Sequence, residues 1–356
     1  MEIKGLSDDN ILKISHIKEE DEWALKYRID SYHNFLKLGL PDFGPKIELD
    51  FDNIIYYKSR QESEIKNNWN DINCSVKNEL DNLGVLESEK HLDGIGVQYE
   101  SEVIYHNMLS ELEEKNVIFT SIEVAMKKYP ELVKKYFGKI VSNNENKFAA
   151  LNGAVFSGGS FIYIPPNTTL DRPLQSYFRI NSRNMGQFER TLIIVDDNSH
   201  LHYVEGCTAP TYSDSSLHAA VVEIYVGKNS SCRYSTIQNW APNVYNLVTK
   251  RALVDENGVM EWIDGNIGSR LTMKYPCCVL KGDNSKGTCI TISVASKTQE
   301  QDSGARMIHL GKNTTSNIIS KSIAQSGGNS TYRGKVRITK GATGSSAMVK
   351  CDTFRN

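Results

Sequence analysis

Cys207 stands near the end of the string "LHYVEGCTAP", residues 201–210, with no second cysteine close enough in sequence to pair with it. A thiol in such a place can attack sulfur or bind metal, but only as the thiolate, which a neighbouring cation favours. Cys207 is separated from Arg179, upstream, by an interval of 28 and from Gln238, downstream, by one of 31. Arg179 and Asn181 are two apart in "YFRIN", as are Gln238 and Trp240 in "IQNW", so each pair shares one face of an extended strand. If the chain coils with that repeat, Arg179, Cys207 and Gln238 form a polar column across three coils. Lys250, in "NLVTKRALV", adds a cation within an otherwise apolar strand. Near Arg179 or Lys250 the thiol pKa is expected to fall, whereas Glu205 acts the other way if it shares the face. A plainer reading stands beside this one: free cysteine is among the most buried residue types and packs as a small hydrophobe.

The remaining candidates carry less chemistry. His200, His202 and His218 flank Cys207 and invite a Cys-His nucleophile, yet His202 is five residues away, an odd separation that places it on the opposite strand face. "SGGS" (157–160) and "KGATGSS" (340–346) have neither the GxxxxGK[ST] order nor a helix to open, and read as turns. His309, in "MIHLGKNT", reads as a satisfied strand histidine. The adjacent Cys277 and Cys278 point to opposite faces if extended, so they do not readily chelate one metal. The seven cysteines are scattered, without a CxxC. That argues against a disulfide framework or a zinc ribbon and fits a reducing compartment.

The elements that would position these residues fall into two parts. Residues 1–145 read as mainly helical. Leu25, Ile29, Tyr32 and Leu36 fall on one helix face, and Tyr105, Met108, Leu109 and Leu112 are expected on another. Thr120 with Glu123 resembles a capping box, followed by helical spacing from Leu132 to Ile140. Residues 44–74 read as extended or irregular. From 146 to 356 the period changes to two, in short runs such as "FIYIPP", "TLIIV" and "CITISVA". An aliphatic residue followed by a polar turn recurs, with asparagines at 167, 198, 229, 257, 284 and 313, at intervals of 31, 31, 28, 27 and 29. Such a repeat, with strands either side of each turn, suggests a parallel β-helix whose coils stack; a β-sandwich with similar turns is the alternative. Asparagine suits the corners because it tolerates the left-handed backbone region and hydrogen-bonds locally.

With 41 basic against 43 acidic residues there is no global electrostatic pull toward nucleic acid or anionic lipid. No run approaches the roughly 18 apolar residues of a membrane span, and "MEIKGLSDDN" lacks a signal-peptide pattern, so a soluble cytoplasmic protein is expected.

Taken together, "GVQYESEVIYHNM", "GGSFIYIPPN", "LHYVEGCTAP", "TIQNW", "YNLVTKRA", "KYPCCVLKGDNS" and "NTTSNIISKSIA" resemble the SufB branch of the SufB/SufD family of iron-sulfur cluster assembly proteins. The resemblance implies a mainly β fold, a right-handed parallel β-helix preceded by a helical region. It implies a non-enzymatic scaffold that works with the SufC ATPase and the paralogue SufD. Sulfur would arrive as persulfide from a cysteine desulfurase and its transfer protein, and SufB would form a homodimer where SufD is lacking. Carried over by motif, Cys207 resembles the sulfur acceptor. Arg179, Asn181, Gln238, Trp240 and Lys250 resemble the internal sulfur route, and Cys351 resembles the interface cysteine where a transient iron-sulfur cluster forms. Family members continue beyond that cysteine, whereas this chain reads "CDTFRN" to residue 356. The expectation is therefore a β-helix truncated at its C-terminal end, a fragment or a shortened form, without the acidic cluster ligand and the SufC contact. An organelle-encoded copy of plastid type would need no transit peptide. Two other readings stay open: a structural Suf paralogue without its own cluster site, and a β-helix enzyme acting on polysaccharide.

Overall fold

The computed structural model describes residues 1–59, 64–180, 184–210 and 215–355. Its strands form two long, mostly parallel sheets, of nine and eleven strands among the described residues, that face each other as the walls of a solenoid. In the first sheet Leu174–Arg179, His200–Thr208, Ser231–Trp240, Val259–Gly268, Lys286–Ser296, Thr315–Gln325 and Ser346–Arg355 pair in succession, each with the same strand of the next coil. The second wall runs through Ser160–Ile164, Arg190–Val195, Val221–Val226, Val244–Val254, Cys277–Leu280 and Glu300–His309, with Leu271–Lys274 and Ser216–His218 beside it. The period-two pattern thus encodes a parallel β-solenoid.

The corner asparagines are what the repeat predicts. Asn167, Asn198, Asn229, Asn257, Asn284 and Asn313 all have φ between 53° and 60°. Their amides also stack: Asn198 donates to Asn167 (3.1 Å), Asn229 to Asn198 (3.0 Å) and Asn257 to Asn229 (2.9 Å). Side-chain ladders and in-register strands therefore specify one another, which a sandwich would not require.

Inside the coils, the first half of each strand builds an apolar core. Tyr203, Tyr234 and Trp262 stack across successive coils with ring centroids 5.0 and 5.2 Å apart, followed by Cys289 and Ile318. Burying such rings provides much of the stabilisation, on the order of 2 kcal/mol or more per side chain.

Helices Glu22–Lys37, Ile122–Lys128, Pro130–Tyr136 and Lys147–Val155 cover the outer face of the second sheet, where Ala24, Met126, Val133 and Phe137 meet Phe161, Leu192 and Ile194. A fully buried ion pair within the second sheet, Arg190 to Glu223 (2.6 Å), presents a carboxylate to the layer above. The Glu223 carboxylate also accepts the backbone N–H groups of Gly138, Ile140 and Val141 at 2.9–3.0 Å.

Several local expectations differ from the structure. Tyr105 and Met108 lie in a strand, Glu102–Met108, and only Ser110–Glu114 beyond it is helical. The partner strand Gly94–Tyr99 claims that segment by antiparallel pairing, and the run Val103–Tyr105 has the β-branched and aromatic character that suits a strand. Both sheets thus reach upstream of residue 146, and a buried helix, Lys147–Val155, lies where only strands were expected. The helix at 122 is capped by Ser121, whose Oγ accepts from Val124 N (3.3 Å), rather than by Thr120. Among the described residues, no helix is long and apolar enough to cross a membrane.

Candidate functional site

Cys207 is fully buried on the inner face of its strand, alternating with Leu201, Tyr203 and Glu205. Its neighbour in the next coil is Gln238, as the spacing predicts; its neighbour in the preceding coil is Phe178, not Arg179. Arg179 pairs with Thr208 and so faces outward, where it bonds Glu79 of the helix Cys74–Asn82 and donates to Thr208 Oγ1 at 2.9 Å. The coil is longer by one than the interval from Arg179 to Cys207, and that single residue reverses the face. Asn181 lies outside the described residues.

Gln238, Trp240 and Lys250 do share the interior with Cys207. Gln238 Nε2 lies 3.9 Å from the sulfur. Trp240 packs on the ring of His218, centroids 4.7 Å apart. Lys250 reaches across from the second wall to Thr236 Oγ1 (2.7 Å), with Asp264 and Glu205 carboxylate oxygens at 3.6 and 3.7 Å and the Tyr234 ring beneath it.

Glu205 and His218, raised above only as neighbours of Cys207, complete the chamber together with Glu189, Tyr234, Asn246, Asp264 and Lys274, which the sequence reading did not single out. Glu205 accepts hydrogen bonds from the Tyr234 hydroxyl and, at 3.7 Å, from the Cys207 thiol. Lys274 stands 3.3 Å from Asp264 and donates to Gln238 Oε1, also at 3.3 Å. His218 bonds Glu189 through Nε2 and Asn246 Oδ1 through Nδ1 (2.7 Å), and Asn246 in turn donates to Gln238 Oε1 (2.8 Å). Donor atoms of Glu189, Cys207 and His218 lie within 4.8 Å of one another. The signal was present: the interval from Glu189 to His218 is 29 and that from His218 to Asn246 is 28, the coil repeat again, on the second wall.

The electrostatics reverse one expectation. Burial, then Glu205, pushes the Cys207 thiol well above its ordinary pKa, and Lys250 and Lys274 do not offset them. The thiol is therefore protonated at rest. Desolvation would neutralise Lys250, but Asp264 and Glu205 hold its pKa above the usual lysine range. Lys274, facing Lys250 as well as Asp264, is instead pulled below that range, with burial the largest cause. Asp264 stays ionised because the two lysines outweigh its desolvation.

Register extends this chamber along the solenoid. One inward column runs Cys207, Gln238, Asn266, Ser293, Ser322, Thr353. Two residues earlier on each strand, a second runs Glu205, Thr236, Asp264, Thr291, Ser320, Cys351. Cys351 is exposed and lies five strands from Glu205, about 24 Å at the usual strand spacing. Several of the buried atoms between lack a hydrogen-bond partner among the described residues, including both side-chain atoms of Asn266. Polar interiors of this kind need water, ions or a role.

Other candidates resolve as packing or turns. His309 is buried and satisfied by Thr314 and Ser316 hydroxyls at 2.7 and 2.9 Å. His202 bonds Ser235 on the outer face (3.0 Å). In "SGGS", Gly158 and Gly159 have φ of 69° and 99°, and a Cβ at Gly159 would strike the Arg190 backbone at 2.3 Å, so the turn is dictated by close packing. Cys278 enters the apolar core while Cys277 lies beside Arg251, on opposite faces.

The description "SUF system FeS cluster assembly, SufBD core domain" matches residues 178–354, and "SufBD protein N-terminal region" matches 97–176. The chain is 54% identical over 353 residues to an iron-sulfur cluster assembly SufBD family protein of Staphylococcus saprophyticus, covering 99% of this chain and 76% of that one. It is similar, with the same identity and coverage, to the SufBD family protein of Staphylococcus aureus strain USA300.

Proposed function

We propose, from the premise that the chain belongs to the SufBD family of iron-sulfur cluster assembly proteins, that it is the SufB-type scaffold which accepts sulfur at Cys207 and delivers it toward Cys351. The observation that carries this reading is the pair of unbroken inward polar columns linking the neighbourhood of Cys207 to Cys351. Sulfur transfer would be an exchange without net redox change: the Cys207 sulfur attacks the outer sulfur of a donor persulfide, the donor leaves as a thiol, and Cys207 becomes the persulfide. The proton on Cys207 passes to Glu205, which already accepts its hydrogen bond, while Lys250 and Lys274 offset the negative charge of the new persulfide. Iron and sulfur would meet at Cys351 as cargo, since thiolates are the usual cluster ligands. Energy for turnover would come from SufC; the sequence contains no GxxxxGK[ST] string. SufD and a cysteine desulfurase with its transfer protein are the other partners in this reading, and the setting is cytoplasmic.

The test is a Cys207→Ser chain assembled with SufC and SufD and supplied with desulfurase and cysteine. It should take up no sulfane sulfur and support no cluster. Undiminished uptake and assembly would sink the proposal.

The burial and protonation of Cys207 favour a second reading, a SufD-like structural paralogue that assembles but builds no cluster. Anaerobic reconstitution with iron and sulfide separates the two: charge-transfer absorbance in no subunit combination supports the structural role. The polar groups lie inside the coils rather than on an exposed face, which counts against a polysaccharide-active enzyme.

A further inference from the structure

We propose that Glu189, Cys207 and His218 form a three-ligand seat for one divalent transition-metal ion, with a fourth position open to incoming sulfur. The choice of ferrous iron as its cargo rests on the assembly reading above; the seat itself does not.

Three observations converge. The donor atoms already lie within 4.8 Å of one another. Tetrahedral ligation at ordinary metal-ligand lengths needs separations of about 3.5 Å, so the widest of these gaps must close by roughly 1 Å while the hydrogen-bonded Glu189–His218 pair opens to admit the ion. The histidine is oriented for the task. The Asn246 amide donates to Gln238 Oε1 (2.8 Å) and Thr272 Oγ1 (3.3 Å), so its own oxygen faces His218 Nδ1 and accepts that N–H at 2.7 Å. Nε2 is left toward Glu189. A lone pair there facing a carboxylate needs a cation between them, a proton or a metal, and an outer partner on Nδ1 is how metal-binding histidines are usually held. Third, Glu189 is fully buried, yet its Oε2 has no partner among the described residues.

Charge also balances. Glu205 is engaged by Tyr234 and Lys250, and Asp264 by Lys274 and Lys250, which leaves the Glu189–His218 pair beside the sulfur. An entering dication displaces two protons, one from the Cys207 thiol and one from between His218 and Glu189. The interior keeps its net charge, and the large cost of burying an uncompensated ion is avoided.

Anaerobic titration of the full chain with Co(II), at equilibrium and with pH-stat detection, reads each element. The expected result is one cobalt with a thiolate-to-metal charge-transfer band and two protons released per ion, with Fe(II) competing for the seat. Cys207→Ser should abolish the band. His218→Asn and Glu189→Gln should each weaken binding more than tenfold, and Asn246→Ala, which removes the acceptor of His218 Nδ1 and a donor to Gln238, about tenfold or more. Far-UV dichroism restricts the comparison to folded variants. Absence of the band in the wild-type chain, or its persistence in both His218→Asn and Glu189→Gln, overturns the seat. Sulfane sulfur uptake measured on the same two variants separates this from sulfur acceptance: retained uptake with lost cobalt supports a seat distinct from the acceptor role.

Discussion

Gln238 presents its Nε2 to Cys207, 3.9 Å from the sulfur, because its Oε1 is held by Asn246 and Lys274 from the opposite wall. One amide thus joins both sheets and points a donor at the thiol. Gln238→Leu removes an acceptor shared by Asn246 and Lys274, which keep Thr272 and Asp264, and losing a buried hydrogen-bond partner costs about 1–3 kcal/mol, with more for a charge. The expected loss is about 3 kcal/mol by urea denaturation, with Gln238→Glu, which keeps the acceptor, less affected.

Cysteine accessibility divides sharply. Cys74 and Cys351 are exposed, while Cys207, Cys232, Cys277, Cys278 and Cys289 are buried. Burial also raises the pKa of each of these five. Brief alkylation of the native chain at neutral pH should therefore modify two thiols, and all seven after denaturation, counted by intact mass. Rapid native modification of Cys207 would contradict its place inside the coil.

Acid should loosen the first sheet through His106. Its Nε2 is buried against Phe119, ring centroids 4.7 Å apart, with no hydrogen-bond partner among the described residues, and desolvation pulls its pKa to about 4. The unfolded chain binds a proton below the ordinary value near 6.5, whereas the folded one does not until about 4. Stability from this group is complete above 6.5 and declines as pH falls toward 4, by about 1.4 kcal/mol per unit and about 3 kcal/mol in all. Denaturation midpoints of wild type and His106→Phe, compared across that window, should diverge by this slope.

Glu223 holds the covering segment by three backbone N–H groups and is itself paired within the sheet to the buried Arg190 guanidinium. Glu223→Ala leaves Arg190 charged and unpaired, and should cost about 3–5 kcal/mol. Hydrogen exchange should localise the loosening to residues 138–155. Glu223→Gln retains an acceptor and should fall between the two.

At the corners, Asn229→Ala loses both ladder bonds and places an alanine at φ of 54°. The left-handed conformation alone costs such a residue about 1–2 kcal/mol. Asn229→Gly removes that strain while still lacking the ladder, so thermal melting should rank wild type above glycine and glycine above alanine.

How far the sequence reached is decided by parity. The asparagine corners were legible because each repeats a local backbone need; Cys207, Gln238 and Trp240 share the interior because their spacings preserve the strand face, and Lys250 stands out as a cation in an apolar strand. Arg179 was misplaced by one residue, since coils of such uneven length do not reveal whether the odd residue falls in a strand or a turn. Lys274 and Asp264 went unassigned because they pair across the lumen, whereas Glu189 pairs along its own wall with His218, at an interval of 29 that repeats the coil. The thiol pKa was read from the nearest cations, but the low dielectric around Cys207 outweighs them, and depth is not written in spacing.

The uneven corner intervals, 31, 31, 28, 27 and 29, sit beside strand pairings that run without a slip from Cys207 to Thr353. Changes in length are therefore absorbed entirely at the bends. The molecule tolerates slack mainly in the bends that lead from the first sheet to the second and none along its walls: a residue inserted in such a bend would lengthen a loop, while the same residue inserted in a single strand would turn one rung of the lumen out to solvent and interrupt the polar line at that coil.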